Sequence, residues 1–348
     1  MTREGRGWTT ARPRSSRRRR RLLLAIPLIA AVTVAVLVVW RPGSTGPQNQ
    51  SHPPSFSHHP NSLPPRVLSG YWQAWGSPNI ALGRVPAQYN VIYAAFAVAD
   101  GAGTGRVKFD QRVQTNSSFV ADLDALQRAG RRVVLSVGGA DDGGLQIRTP
   151  AQVSAFLASV SGIIDRYHFT GVDWDLEHGI DRPAIAGLSR ALKARYGARF
   201  LITLAPMQNQ PDYEALAVDI GDVLDLVNPQ FYNSGTLSQE YIVEQVRRWA
   251  GRIGPDRVGM GFMTVQTPGE TGVVAPAAAA ATWQEVVRLL PDARGLMTWS
   301  INLDATSGFD FAGTCGPLVG TAPKETGAPF ERAGERLGAP GRLGPGSS

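Results

Sequence analysis

The sequence predicts an α/β fold, a (β/α)8 barrel of the TIM type. From Arg66 onward, short apolar runs alternate with stretches of helical periodicity. Eight such runs are predicted as strands: 67–72, 90–97, 132–137, 170–176, 200–205, 225–232, 257–263 and 295–301. Eight strands and seven crossovers over about 270 residues match one barrel. A doubly wound sheet, the main alternative, usually has fewer strands and often a glycine-rich phosphate turn, which Gly138-Gly139 is not.

The crossovers have helical signals of their own. Helices are predicted over 151–167, 182–196, 238–252 and 279–290. Thr149-Pro150 and Asp181-Arg182-Pro183 are typical helix starts, because a capping side chain precedes a proline in the first turn. No internal repeat is evident.

The positive charge of the chain is confined to its beginning. Residues 1–41 contain ten arginines and one acidic residue, Glu4, a net charge of +9. The whole chain carries +7, so the remaining residues carry 7 − 9 = −2. The basic character therefore describes a leader and not a nucleic-acid surface, and the nearly neutral body suits an uncharged substrate.

An apolar run of 19 residues, 22–40, follows five consecutive arginines. As a helix it would measure roughly 28 Å, enough to span a bilayer. We expect a basic cytoplasmic leader over 1–21 and a signal anchor over 22–40, with a cleaved signal peptide as the alternative. The domain would then lie outside the cell, anchored to the membrane or secreted.

The rest of the chain divides by composition. Residues 41–65, rich in proline and serine, are predicted as a disordered linker, 66–337 as the catalytic domain and 338–348 as a disordered tail. Cys315 is the only cysteine, which excludes an intramolecular disulfide and a cysteine-based metal site. No cofactor is indicated, and we expect a monomer.

The fourth predicted strand carries the strongest chemical signal. Alternation along a strand places three carboxyl side chains on one face: Asp173, Asp175 and Glu177. In a barrel this face points inward and climbs toward the C-terminal rim, where active sites lie. Repulsion between neighbouring carboxylates moves their pKa values apart, so that one group can keep its proton near neutral pH. Cleavage of a glycosidic bond needs such a protonated carboxyl group. The alternative of an edge strand with a solvated acidic face is disfavoured, because bulky apolar residues occupy the positions between the carboxyl residues. A metal site is also disfavoured, because the sequence near this strand contains no metal-binding motif such as HExxH.

At this point the sequence resembles the chitinases of glycoside hydrolase family 18. Ser136-Val137-Gly138-Gly139 is similar to the family's SxGG motif, and residues 170–177 match DxxDxDxE except that Thr170 replaces the first Asp. Gln230-Phe231-Tyr232-Asn233 resembles the QxYN form of the sixth-strand motif, and Trp299 the tryptophan that floors the sugar site. The resemblance spans residues 66–303.

The resemblance implies hydrolysis of chitin by a retaining, substrate-assisted route without an enzyme nucleophile. Glu177 would be the general acid and base, Asp175 would orient the substrate acetamido group, and Tyr232 would bond its oxygen. Asp173 would share a proton with Asp175. An endo-β-N-acetylglucosaminidase acting on glycoprotein glycans and a non-catalytic lectin or inhibitor on the same barrel remain alternatives.

Further residues are candidates for binding the sugar chain. They are Trp299, Gln230, Asn233, Met207, Tyr71, Trp72, Ser136 and Gly138. Sequence alone leaves open whether Tyr71, Trp72 and Trp75 contact sugar or pack in the barrel. About thirty residues separate the last two predicted strands, too few for the small α+β domain that some family members insert there. We therefore expect an open cleft and endo-type cuts.

Overall fold

The computed structural model describes residues 63–320, and their parallel strands form an eight-stranded barrel. The barrel strands are β1 (Val67–Gln73), β2 (Val91–Ala99), β4 (Arg132–Gly138), β5 (Gly171–Asp175), β6 (Leu201–Leu204), β7 (Leu226–Val227), β8 (Gly259–Met263) and β9 (Gly295–Trp299). Their order is β7-β6-β5-β4-β2-β1-β9-β8. Bridges from Val227 to Val258 and from Gln230 to Gly261 join the two ends of this order. All eight predicted barrel strands are confirmed.

One strand was not predicted. β3 (Val107–Phe109) pairs antiparallel with the end of β2, so the β2 connection returns as a short hairpin before the next helix. Its three residues are too few for an alternating pattern to stand out from the surrounding glycines and charges. The hairpin extends the wall of the barrel at its C-terminal rim.

Eight helices are present in the described part of the chain. They are α1 (Asn116–Arg128), α2 (Pro150–Tyr167), α3 (Arg182–Tyr196), α4 (Pro211–Asp219), α5 (Gln239–Ile253), α6 (Pro276–Leu289), α7 (Ile301–Thr306) and α8 (Asp310–Cys315). The four predicted helices correspond to α2, α3, α5 and α6. Thr149 closes a capping box with Gln152, and Asp181 accepts from the Ala184 N–H at 3.1 Å, so both predicted helix starts are confirmed.

Two apolar layers hold the barrel. The larger one lies between the strands and the helices, where Trp174 packs on Phe156 of α2 at a ring distance of 5.4 Å. The smaller one fills the barrel interior with Tyr71, Tyr93 and Met297 among its members. Because β5 alternates between these layers, Val172 and Trp174 join the outer layer. Asp173 and Asp175 point to the other face, as the sequence predicts.

The domain begins earlier than the predicted linker boundary. Leu63 is buried with the barrel interior residues, and the Pro64 carbonyl accepts from Arg294 at 2.7 Å. The last residues assigned to the linker therefore belong to the folded domain, because their apolar and backbone groups find partners there. The predicted leader (1–21), apolar run (22–40), first part of the linker and tail (338–348) lie outside the described residues. Between residues 63 and 320, no helix combines the length and apolar character needed to cross a membrane.

The outer layer provides a stability test. Phe119 of α1 is fully buried and stacks on Trp72 at 5.5 Å, so Phe119→Ala should lower the free energy of unfolding by about 3–5 kcal/mol. Val218→Ala is the control, since Val218 is 48% exposed and its loss should change stability by less than about 0.5 kcal/mol. Urea unfolding followed by tryptophan fluorescence measures both. Equal effects of the two changes would contradict the packing described for α1.

Candidate active site

A cleft of about 560 Å³ opens at the C-terminal ends of the barrel strands. Seven of the predicted site residues line it: Asp175, Glu177, Met207, Gln230, Tyr232, Asn233 and Trp299. These side chains come from the ends of β5 and β9 and from the connections that follow β6 and β7. The parallel barrel brings them together because all its strands end at the same rim.

Asp173 lies below the cleft, fully buried in the barrel. Its carboxylate accepts three hydroxyl donors: Tyr71 at 2.8 Å, Ser136 at 2.7 Å and Thr203 at 2.6 Å. Burial nevertheless raises the pKa of Asp173 above its ordinary value, since the three hydrogen bonds only partly offset the loss of water. These donors come from the two strands that pair with β5, β4 and β6, and from β1 across the barrel, so the position of Asp173 depends on three other strands.

Asp175 stands one step higher and faces the cleft. Its Oδ1 atom accepts from the Gln230 amide at 2.8 Å. Burial raises its pKa well above the ordinary value, and the charges of Glu177 and Asp173 act in the same direction. Among the contacts of the described residues, no hydrogen bond joins Asp173 to Asp175, so the predicted sharing of a proton between them stays a prediction.

Glu177 is half-buried at the rim, just beyond the end of β5. Burial raises its pKa above the ordinary value; the charges of Asp142 and Glu270 add to this effect, and His178 opposes it. His178 itself is exposed, and its Nε2 atom contacts the Ala140 carbonyl at 2.8 Å. Glu177 is thus a carboxyl group that keeps its proton to higher pH than an exposed glutamate would, while it stays within reach of the cleft.

Tyr232 and Asn233 line the side of the cleft that faces the β8–α6 connection. Asn233 fixes this connection, because its side-chain oxygen accepts from the Thr271 N–H at 3.0 Å and its own N–H donates to the Thr271 carbonyl at 2.8 Å. The adjacent Glu270 thereby reaches the cleft wall, where Thr267 donates to its carboxylate at 2.9 Å.

Three aromatic rings form a platform in the cleft. Trp299 stacks on Phe96 with a ring distance of 5.7 Å and an interplanar angle of 15°. Trp75 also stacks on Phe96 at 5.8 Å, lies 6.5 Å from the Trp299 ring and is 40% exposed. Flat, partly exposed aromatic faces of this kind suit the apolar faces of pyranose rings. The sequence left open whether Trp75 contacts sugar or packs in the barrel, and the structure places it in the cleft.

The structure does not place Trp72 in the cleft, and its prediction as a sugar contact is corrected. Trp72 is fully buried in the outer layer, where its indole N–H donates to the Ile80 carbonyl at 2.9 Å. Side-chain alternation along β1 points Trp72 outward and Tyr71 inward. Tyr71 and Ser136 do not line the cleft either; both support Asp173 from inside the barrel.

Gly138 acts through its backbone. It has a positive φ of 113°, and a Cβ atom there would lie 2.1 Å from the Asp175 carbonyl oxygen. The absence of a side chain lets β4 approach the backbone of Asp175, and the next residue, Gly139, donates its N–H to that carbonyl at 2.7 Å. The glycine pair therefore supports the catalytic strand and does not reach the cleft.

Sequence reasoning missed several cleft residues. Phe96 lies next to the last residue of the predicted second strand, 90–97, and could have been found by the argument applied to Trp299. Lys108, Asp110 and Arg112 reach the cleft wall on the unpredicted β3 hairpin and the turn after it. Glu270 lies in a connection without periodicity, so only the Asn233 contacts place it. Within residues 63–320, no group of three or more histidine, cysteine or acidic side chains is arranged to hold a metal ion.

Residues 67–283 match the sequence profile of the glycosyl hydrolases family 18, which covers more than half of the chain. The chain belongs to the glycosyl hydrolases family 18. The strand that carries Asp173, Asp175 and Glu177 and the strand that carries Ser136 and Gly138 both lie inside the matched range.

Proteins named as chitinases are similar to the chain in sequence and in structure. Exochitinase 1 of Streptomyces olivaceoviridis is 29% identical over 72% of this chain and 55% of its own length. A Streptomyces coelicolor structure described as chitinase A is 30% identical, with a TM-score of 0.68, and covers 74% of this chain and 99% of that one. A family 18 chitinase from Chromobacterium violaceum is 26% identical with a TM-score of 0.66, over 74% and 84%. The chain spans 55% and 64% of the first two curated relatives it matches.

The buried carboxyl groups predict a pH-dependent cost in stability. Because the folded-state pKa of Asp175 is raised, the folded protein loses stability as the pH rises from the unfolded pKa of about 3.9 through the folded pKa. Asp175→Asn removes the free-energy cost of burying a charge, and the asparagine side-chain oxygen can still accept the hydrogen bond from the Gln230 amide. The variant should therefore be more stable than the wild type at pH 8, and the difference should shrink toward pH 4.

Urea midpoints at pH 4, 6 and 8 measure this difference. Asp292→Asn, at an exposed turn position, is the control for removing one negative charge and should change the midpoint little at any pH. A wild type that matches or exceeds Asp175→Asn at pH 8 would show that the Asp175 carboxylate is not a burden on the fold.

Proposed function

We propose that this protein is a chitinase, which hydrolyses β-1,4-linked N-acetylglucosamine chains by a retaining, substrate-assisted mechanism. One observation carries the proposal: Glu177, Asp175 and Tyr232 line a single cleft with an aromatic platform. Family 18 membership and relatives named as chitinases support the choice of substrate. The nearly neutral charge of the chain beyond its basic leader also suits an uncharged polymer.

In the first step, the Glu177 carboxyl group donates its proton to the glycosidic oxygen. The acetamido oxygen of the sugar bonds to the anomeric carbon as the bond to the leaving oxygen breaks. Asp175 accepts a hydrogen bond from the acetamido N–H and balances the positive charge that develops on the cyclised acetamido group. The Tyr232 hydroxyl donates a hydrogen bond to the acetamido oxygen. The raised pKa of Glu177 favours the protonated form that this step requires.

In the second step, the Glu177 carboxylate takes a proton from water, and that water attacks the anomeric carbon. The bond to the acetamido oxygen breaks, and the substrate recovers its N-acetyl group. The two displacements leave the product with the configuration of the starting sugar. Trp299 would stack under the reacting sugar, and Gln230 would hold Asp175 on the acetamido side through the observed hydrogen bond.

The alternatives use the same barrel. An endo-β-N-acetylglucosaminidase would use the same Glu177 chemistry and would differ in the groups that the outer cleft accepts. A lectin or inhibitor would need the platform but no proton donor. The raised pKa of Glu177 at the cleft wall favours an enzyme over a binding protein.

We propose an endo mode of cleavage. The β8–β9 connection consists of a loop and α6 in the described structure, so no inserted domain walls this side of the cleft. An open cleft admits a chain at internal positions. One relative is named an exochitinase, which makes the mode of cleavage a direct question for experiment.

We also propose that the domain works outside the cell, either anchored or released. The support is the arginine-rich leader followed by the apolar run over 22–40. A solid polymer cannot enter a cell, so its hydrolysis requires an exported enzyme.

The proposed function is tested with the full-length protein and chitin hexasaccharide. The wild type should release products from internal cuts, with fresh product in the β-anomer. Glu177→Gln keeps the size of the side chain but removes the acid, so kcat should fall about 10²–10⁴-fold. Chromatography measures product lengths, and proton NMR measures the anomer ratio.

Glu244→Gln is the matched control, because it makes the same side-chain change at an exposed position of α5, where Glu244 pairs with Arg247 outside the cleft. It should keep most of the activity. Dimers released only from one end would contradict the endo mode. Hexasaccharide binding without cleavage by the wild type would indicate a lectin, and neither binding nor cleavage would direct the search to glycoprotein glycans.

The aromatic platform predicts that Trp75 contributes to substrate binding. Trp75→Ala removes the most exposed ring of the platform, so KM for the hexasaccharide should rise about 3- to 10-fold, with a smaller effect on kcat. The control Leu318→Ala removes a similarly exposed apolar side chain outside the cleft. Unchanged KM in Trp75→Ala would place the bound chain elsewhere on the rim.

A further inference from the structure

The backbone ladder between β5 and β6 stops at the catalytic residues. The last regular bond runs from the Ala205 N–H to the Trp174 carbonyl at 3.0 Å. In a parallel ladder the next bond would run from the Leu176 N–H to the Ala205 carbonyl. That bond is not formed, so the chain between Asp175 and Glu177 leaves the sheet without its strand neighbour.

Gln230 occupies the acceptor that the ladder would have used. Its amide donates to the Ala205 carbonyl at 2.9 Å and to Asp175 Oδ1 at 2.8 Å. The next donor on this side of the strand, the Met207 N–H, bonds the Gln210 side chain at 3.0 Å and does not continue the ladder. The same amide that holds the Asp175 carboxylate therefore ends the strand pairing beside it.

Tyr213 of α4 replaces the missing strand neighbour. Its ring is fully buried, its hydroxyl accepts from the Leu176 N–H, and the same hydroxyl donates to the Trp174 carbonyl at 3.0 Å. These two groups belong to the residues on either side of Asp175. One phenol oxygen thus bridges the backbone before and after the catalytic aspartate.

The opposite side of this backbone is held by β4. The Asp175 carbonyl accepts from the Gly139 N–H at 2.7 Å, at the position where Gly138 permits close approach. With Gly139 on one side and Tyr213 on the other, the peptide groups around Asp175 have little freedom to rotate. The direction in which the chain continues to Glu177 follows from this double attachment.

We propose that Tyr213 is a positioning residue for the hydrolysis, and that its hydroxyl takes the place of a strand neighbour to aim Asp175 and Glu177 into the cleft. Tyr213 does not line the cleft and acts only through the backbone that it bonds. The kinetic part of this inference rests on the proposed function, and a second measurement without substrate separates the two.

Tyr213→Phe in the full-length protein removes the hydroxyl and keeps the packing of the ring. The Leu176 N–H then loses its acceptor, and the segment to Glu177 can turn. We expect kcat on chitin hexasaccharide to fall roughly 10- to 100-fold with KM within about 3-fold of the wild type, because a small misplacement of a catalytic group is costly. Tyr167→Phe is the control: Tyr167 is also buried, and its hydroxyl bonds Asn116 at 3.2 Å. Its kcat should match the wild type.

The second measurement is a carboxyl ¹³C NMR titration of Asp175 and Glu177 without substrate. Their titration curves should move in Tyr213→Phe and stay in place in Tyr167→Phe, because only the first change reorients the catalytic backbone. Unchanged kcat together with unchanged titration in a folded Tyr213→Phe would overturn the proposal. A wild type that cleaves no chitin would refute the proposed function, and the titration would still decide the role of Tyr213.

Replacement of Tyr213 by 4-aminophenylalanine serves as the second variant. Its amino group donates well but accepts weakly, so kcat and the two titration curves should change in the same direction as in Tyr213→Phe, by less. If Tyr213→Phe does not fold, this variant carries the test. Wild-type kcat and titration in the 4-aminophenylalanine protein would then overturn the proposal.

Discussion

The site depends on the burial of ionisable groups along one face of β5. Asp173 has no access to water, and three hydroxyl donors replace the hydration of its carboxylate. Asp175 is buried as well and has one amide donor, from Gln230. Neither set of bonds fully compensates for lost solvation, so both pKa values rise. A simple folding requirement would have placed apolar residues here, as it does on the outer face at Val172 and Trp174. The cost is retained along the face of β5 that leads to the cleft, and it leaves carboxyl groups whose protons are held to different degrees.

The rest of the barrel keeps these groups at fixed positions. Hydroxyls from three different strands converge on Asp173, so its geometry is set by the closure of the barrel and not by its own strand. Around Asp175, the regular ladder gives way to bonds from Gln230, Tyr213 and Gly139. β5 therefore ends in a network of specific side-chain and backbone contacts. Such a network can hold a bend that regular pairing would straighten.

The fold and the carboxyl-bearing face of β5 could be predicted from the sequence because they follow from local patterns. A period of two placed the carboxyl groups on the face opposite Trp174, and capping residues marked the starts of α2 and α3. The sequence predicted wrongly that Trp72 contacts sugar, and it left the position of Tyr71 open, for the same reason. Neighbouring aromatics in one strand point to opposite layers, and their types alone do not indicate which layer is the interior. The β3 hairpin was missed because three residues hold too little periodicity.

The sequence by itself determined the fold class and the strand whose carboxyl side chains lead to the cleft, since both are encoded by residue types at short, regular spacings. Only the tertiary structure decided which distant groups complete the site. Phe96 joins the platform of Trp299, Asn233 brings Glu270 to the cleft wall, and Tyr213 bonds the backbone on both sides of Asp175. These contacts join residues far apart in the chain, and barrel closure alone brings them within bonding distance. No local pattern records such a pairing.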